Sequence, residues 1–324
     1  MAYSAGSIIA TVDYNGFVST NGQNLNNVWS TGSGASGYGE AAVSTVAAGA
    51  TISATQWSTL NSKISAIASH TGSTITSRAN PTAGQTISIL ANLGTDIGTI
   101  NNNRGNAVAS GAQYTTIAGT NSKTTSTGTG TSAWALTFTN TITFASANAA
   151  RYFFNAGGRI KLETSKTSTG TAADIEFNDL ATTLMADLFI TGGVQTIAAS
   201  AYLGTTRSGG TGTPQTYQNS VGFNMLTPSD QLVYRQYADT APYTGMNIAV
   251  YLKLATNDTQ VVITTVWADP GTGAYGEGII SGGTAASGAT PGTAPCTIVT
   301  YFAPSSTYLT SAAWGVPTIT ASVA

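Results

Sequence analysis

Charge is what this chain has least of. Of its 324 residues, 11 are Lys or Arg and 13 are Asp or Glu, so charged residues make up 7%, against about a quarter in an ordinary soluble domain. The basic residues form no runs. A surface that neutralises phosphates needs clustered Lys and Arg, so nucleic acid is not an expected partner. Long apolar stretches are missing too, and with them any expected membrane-spanning helix. The opening MAYSAGSIIATVDYN has neither a basic residue nor a long apolar core and does not read as a secretory signal. The single cysteine, Cys296 in APCTIVTYF, excludes an intrachain disulfide. It reads as a small buried strand residue, with an intermolecular or reactive thiol as the alternative. The single histidine, His70 in IASHTG, removes whole classes of mechanism. A zinc site takes several His, Cys or acidic ligands, and a Ser-His-Asp triad needs its histidine beside a nucleophile. His70 reads as a capping or surface residue; the sharper alternative is an ion trapped on an oligomer axis. No cofactor and no catalytic residue are expected.

Gly, Ala, Ser, Thr and Asn take the place of the missing charge. Their surface is neutral and rich in hydroxyls, and a net charge of only -2 leaves little electrostatic defence against self-association. The stretch STGSGASGYGE, from Ser30 to Glu40, sets Gly32, Gly34 and Gly37 at the spacing of a dinucleotide-binding turn. Such a turn must follow a buried strand, open a helix and be answered by an acidic residue about twenty positions on. Here polar NGQNLNNVW precedes it, loop-like YGEAAVSTVAAGA follows, and no acidic residue stands at that distance. The stretch reads as a joint between two helices.

The first 110 residues carry a faint repeat: ATVDYNGF aligns with ATISATQW, and AGATIS with AGQTIS. Asp13, Ser53 and Ser88 each precede a helical pattern and are favoured N-cap residue types. Steps of three and four place Trp57, Leu60, Ile64 and Ile67 on one helix face, and Leu90, Leu93, Ile97 and Ile100 on another. A weaker first helix holds Val18, Leu25 and Val28. These seams serve either packing within the chain or self-association. GTNSKTTSTGTGTS marks a flexible linker at 119–132. It separates a helical attachment or assembly region, 1–118, from a β-rich outer domain, 133–324. Beyond it the period changes to two in WALTFTNTITF. RYFFNAGGRIKLE reads as a hairpin turning over Asn155–Gly158. Further strands are expected at Ser220–Leu226, Gln231–Tyr237, Met246–Leu254, Gln260–Trp267 and Thr297–Phe302, and a helix at Leu180–Phe189. The fold class is α+β: short N-terminal helices with coil linkers, then a mainly antiparallel β-sandwich-like domain.

The densest acidic group is Asp174, Glu176 and Asp179. With Asp174 and Glu176 on one strand face, paired carboxylates could bind calcium or serve glycoside cleavage. The plainer reading is a solvated strand end followed by a helix cap. Among the tyrosines, Tyr202, Tyr217, Tyr243 and Tyr275 are candidates for exposed rings that stack on sugars, although core or subunit packing is the commoner use of such residues.

The blocks DYNGF, GSGASGYGE and AGATISATQWSTL, then ARYFFNAGGRIKLETSKT, NDLATTL and TNDTQVVITTVWADP, resemble virion structural proteins of tailed phages, notably of cyanophages and other aquatic phages. RYFFNAGG is the distinctive block, and the resemblance touches most of the chain. It implies a fibre- or tail-associated component of the particle, homo-oligomeric and most simply trimeric, attached through its N-terminal region. The implied partners are other copies, other virion proteins and host-surface polysaccharide. It also implies assembly in the host cytoplasm and release by lysis. It carries over no catalytic residue.

Overall fold

A computed structural model describes residues 10–20, 22–82, 90–109, 112–122, 134–167, 172–269, 286–287 and 296–324. Helix α1 (Thr11–Asn15) runs into a π-helical turn ending at Thr20, and α2 (Leu25–Trp29) follows. Asp13 is not the N-cap of α1. That place is held by Ala10, whose N–H donates to Asp13 Oδ2 at 3.0 Å. Ser53 does cap α3 (Ala54–Thr71): its Oγ accepts from Gln56 N at 3.2 Å while Gln56 Oε1 accepts from Ser53 N at 2.7 Å. This reciprocal pair satisfies two amides that the first turn leaves open. Gly72 ends α3 in the left-handed region, at φ 71°. Ser88, expected to cap α4 (Leu90–Asn102), lies outside the described residues.

The sheets use β1 (Ala112–Ser122), β2 (Trp134–Thr143), β3 (Arg159–Ser165), β4 (Asp187–Ile197), β5 (Ser200–Ser208), β6 (Thr216–Tyr217), β7 (Gln231–Tyr237), β8 (Asn247–Ala255), β9 (Gln260–Asp269), β10 (Ala286–Ser287), β11 (Cys296–Pro304) and β12 (Thr318–Val323). They form two antiparallel sheets, in the orders β10-β1-β11-β3-β4-β5 and β12-β2-β9-β8-β7-β6. The class is α+β, with N-terminal helices followed by a β-sandwich-like pair of sheets. Alternate side chains turn inward, as the two-residue period requires. Phe138 and Ile142, Val250 and Leu252, and Ile263 and Trp267 come from one sheet, and Ile160, Leu162, Ile190 and Val299 from the other; all belong to one core cluster. Asn140 is a polar residue on the inner face. It is fully buried, and its Nδ2 reaches across to Thr297 Oγ1 at 3.1 Å.

Four expectations are corrected. Arg151–Phe154 is not a hairpin arm but part of helix α5 (Ala147–Asn155), capped by Ser146 Oγ, which accepts from Ala149 N at 3.0 Å. Its aromatics suit a strand by propensity, yet burial decides: Phe153 and Phe154 meet edge to face at 5.0 Å, fully buried. Ser220–Leu226 contains a short 3-10 turn at Phe223–Met225 rather than a strand. The helix expected at Leu180–Phe189 lies earlier, as α6 (Ala172–Asp179) with a π-helical turn to Leu184, and Phe189 belongs to β4. The proposed linker at 119–132 begins too early, because its first four residues pair with β11 as part of β1, with Gly119 opposite Val299 and Ser122 opposite Cys296.

The helical region does not stand apart from the sheets. Residues from Tyr14 to Trp314 share one continuous buried cluster. Glu40, 5% exposed, accepts from Ser311 N at 2.8 Å and from Thr310 Oγ1, which ties the N-terminal loop to the segment between β11 and β12. Ala107 bridges Ile197 in parallel at the end of β4.

Candidate functional site

The glycine loop answers its own sequence pattern. Gly32, Gly34, Gly37 and Gly39 all have positive φ. A Cβ on Gly37 would lie 2.2 Å from Thr31 O, and one on Gly39 would lie 2.5 Å from the Tyr152 ring. A phosphate cradle needs free amides aimed at the anion. Here Tyr38 N donates to Val28 O, Gly39 N to Ser30 O and Glu40 N to Trp29 O. The loop presents carbonyls instead: Ser36 O and Thr31 O accept from Arg151, and Gly34 O and Gly37 O accept from Asn155 Nδ2. Its glycines let the backbone press against α5, so it joins the helical region to the sandwich.

The acidic group is rearranged. Asp174 and Glu176 lie on helix α6, not on a strand, and a spacing of two on a helix sends them to different sides. Asp174 pairs with Lys166, both side chains 1% exposed. Glu176 and Asp179 are joined instead by Asp239, with carboxylate oxygens mutually within 4.8 Å. Glu176 also accepts from Thr240 N at 3.3 Å. Lys166 and Asp239 carry no local signal, because each meets α6 only through the tertiary fold.

His70 is neither a surface nor a capping residue. It is fully buried, its Nε2 lies 3.1 Å from Ala156 O, and its ring meets Tyr38 edge to face at 5.4 Å. Burial pushes its pKa down to about 4, against the weaker opposing pull of the Ala156 carbonyl. The Nδ1 atom has no hydrogen-bond partner among the described residues. Cys296 is buried at the start of β11.

The helix-face residues point inward. Trp57, Leu60, Ile64 and Ile67 of α3, and Leu93, Ile97 and Ile100 of α4, are each at most 2% exposed. Leu90 opens α4, and its side chain lies outside the described residues. The described seam is thus consumed within one chain. Tyr202 is buried at 9% exposure, beneath Arg159 and beside Phe189 at 5.6 Å. Tyr217 is half-buried, its hydroxyl donating to Thr205 O at 3.2 Å and accepting from Arg207 N at 3.0 Å. Tyr243 packs half-buried against the core. Tyr275 lies outside the described residues. The three described rings therefore serve packing and hydrogen bonding. Among the described residues, no helix is long and apolar enough to cross a membrane.

Comparison with protein families, curated proteins and solved structures finds no match for this chain.

Proposed function

We propose that the chain is a structural component of a phage particle, a homo-oligomeric fibre or appendage protein attached through its N-terminal region and acting by binding without turnover. The observation that carries this reading is a large buried core in a chain of which only 7% of residues are charged. The surface of such a chain resists aggregation poorly as a free monomer and suits dense, permanent contact with neighbouring subunits. The phage-like blocks of the sequence point the same way. With the α3 and α4 seams turned inward, contacts between copies fall to the hydroxyl-rich outer faces. A trimer is the simplest symmetric form.

The test is immunogold electron microscopy of intact particles with antibody to the full chain, paired with mass spectrometry of disrupted particles and light scattering of the purified protein. Gold on a fibre or tail tip supports the reading; gold on a head or collar makes the chain a decoration protein. A monomer at high concentration that is absent from particles overturns it. A second reading, a host-surface glycan-binding adhesin, is favoured by one observation, a polar cleft beside the glycine loop.

A further inference from the structure

That cleft opens where five segments converge: the glycine loop at Ala35, the turn after α4 at Arg104 and Gly105, the end of α5 at Asn155, β4 at Gly193 to Gln195, and Asn224. Its volume is about 150 Å³, which corresponds to about five waters of the liquid. The β4–β5 register slips between Ile190 and Val194, so a bulge forms one wall. Small residues keep the space open. A Cβ on Gly192 would come within 3.2 Å of Asn224 Nδ2, and one on Gly105 within 3.2 Å of the Gln195 side chain.

The polar groups divide into spent and unspent. Gln195 is spent: its Nε2 donates to Gly105 O and Phe154 O, both at 2.8 Å, and its Oε1 accepts from Gly192 N at 2.9 Å. Asn155 is only 3% exposed. Its Nδ2 donates to two loop carbonyls, each at 3.2 Å, which fixes the orientation of the amide. Its Oδ1 accepts no hydrogen bond among the described residues, an acceptor left open to solvent or a ligand. Arg104 donates through Nε to Ala35 O at 2.7 Å and through Nη1 to Asn101 O at 2.6 Å, and its Nη2 makes no hydrogen bond among the described residues. Among the described residues, no Asp or Glu lines the cleft. Val194, 80% exposed, stands at the mouth opposite its cross-strand partner Leu203.

We propose that this cleft binds a single sugar ring and prefers one that carries a carboxylate. A ring hydroxyl donates and accepts at once. It satisfies Asn155 Oδ1 while taking hydrogen bonds from Arg104 Nη2 and the Asn224 amide. A guanidinium with no carboxylate beside it favours an anionic group on the ligand. Val194 supplies an apolar ledge for the C–H face of the ring. The volume admits one ring and not a chain of them. The proposal deepens the adhesin reading, yet it is a property of the purified full chain wherever that chain resides.

The test is ligand-observed NMR and calorimetry with galacturonate and galactose. Galacturonate is expected to bind at about millimolar Kd, and galactose several-fold more weakly. Gly193 is the position to block, because a Cβ there meets nothing within 4 Å and its φ is not positive. Gly193→Leu leaves the melting temperature unchanged and weakens galacturonate at least about tenfold. Asn224→Ala, at an exposed site, weakens it several-fold. Undiminished binding by Gly193→Leu, or no binding of either sugar at about 10 mM, overturns the proposal. Equal affinity for the two sugars overturns the role given to Arg104. None of these outcomes depends on where gold settles on a particle, so this proposal and the particle reading fail separately.

Discussion

Acidification should loosen the protein through one buried ring. His70 is fully buried, with Nε2 against Ala156 O at 3.1 Å and Nδ1 unpartnered, which is the arrangement of a neutral imidazole carrying its proton on Nε2. Its pKa falls from 6.5 to about 4 in the folded chain. The unfolded chain takes up this proton as pH drops through 6.5, whereas the folded chain refuses it until about 4. Stability from this group is therefore complete above pH 6.5 and is lost progressively down to pH 4. A gap of about 2.5 units at 1.36 kcal/mol each corresponds to about 3 kcal/mol, with a slope approaching about 1.4 kcal/mol per pH unit near the middle of the window. The assay is urea unfolding followed by tryptophan fluorescence at closely spaced pH values, for the native chain and for His70→Gln. Gln cannot titrate but keeps an N–H for the Ala156 carbonyl. The variant is less stable at neutral pH and shows a flatter profile across the window. Subtracting the curves removes what the carboxylates contribute. Parallel curves would refute the claim that a buried neutral ring holds α3 to the end of α5.

Gly37→Ala, which sets a Cβ 2.2 Å from Thr31 O at a φ of 98°, should cost about 3 kcal/mol or more in urea unfolding. Gly34→Ala, with positive φ but nothing within 4 Å, should cost only about 1 kcal/mol; equal costs would sink the close-approach argument. Asp174→Asn strands the buried Lys166 ammonium and should cost about 3–5 kcal/mol, most of which the double variant Asp174→Leu/Lys166→Met recovers, as read by thermal melts. Leu60→Ala, at a fully buried site, should cost about 2–5 kcal/mol and speed hydrogen exchange in β8 and β9 as well as in α3. Faster exchange confined to the helices would mean that the two regions unfold separately.

Where local pattern and tertiary burial agree, the sequence was legible. The three-and-four spacing of Trp57 to Ile67 marks α3, the Ser53 and Gln56 pair marks its start, and the alternation of Trp134 to Phe138 marks β2. Where they disagree, it misled. Tyr152, Phe153 and Phe154 carry strand propensity into a helix because each is buried there, Tyr152 against Gly39 and Phe153 and Phe154 against Phe144. Asp174 and Glu176 looked paired because a period of two was assumed, and the helix turns them apart. The unspent Asn155 and Arg104 were invisible in sequence. Asparagine and arginine are ordinary residues until Gly34, Gly37 and Ala35 arrive to use some of their hydrogens and not others. Strands β4 and β5 had weak signals, since Gly192 and Gly193 in one and Gly204 to Thr206 in the other break their alternation, whereas β12 alternates but is short and only half-buried.

The clasp of Glu40 with the Thr310 hydroxyl and the Ser311 amide also bears on how the chain matures. During synthesis Glu40 leaves the ribosome long before Thr310 and Ser311 exist, and loop closure over such a separation is slow. Until Ser311 has been translated, the Glu40 carboxylate has neither of its donors and cannot be buried without a large penalty. The Glu40 end of the loop is therefore the last part of it to dock. A chain that stops short of Thr310 keeps the loop's bonds to Arg151 and Asn155 but leaves Glu40 without these donors, so completion of translation becomes the step that seals this corner.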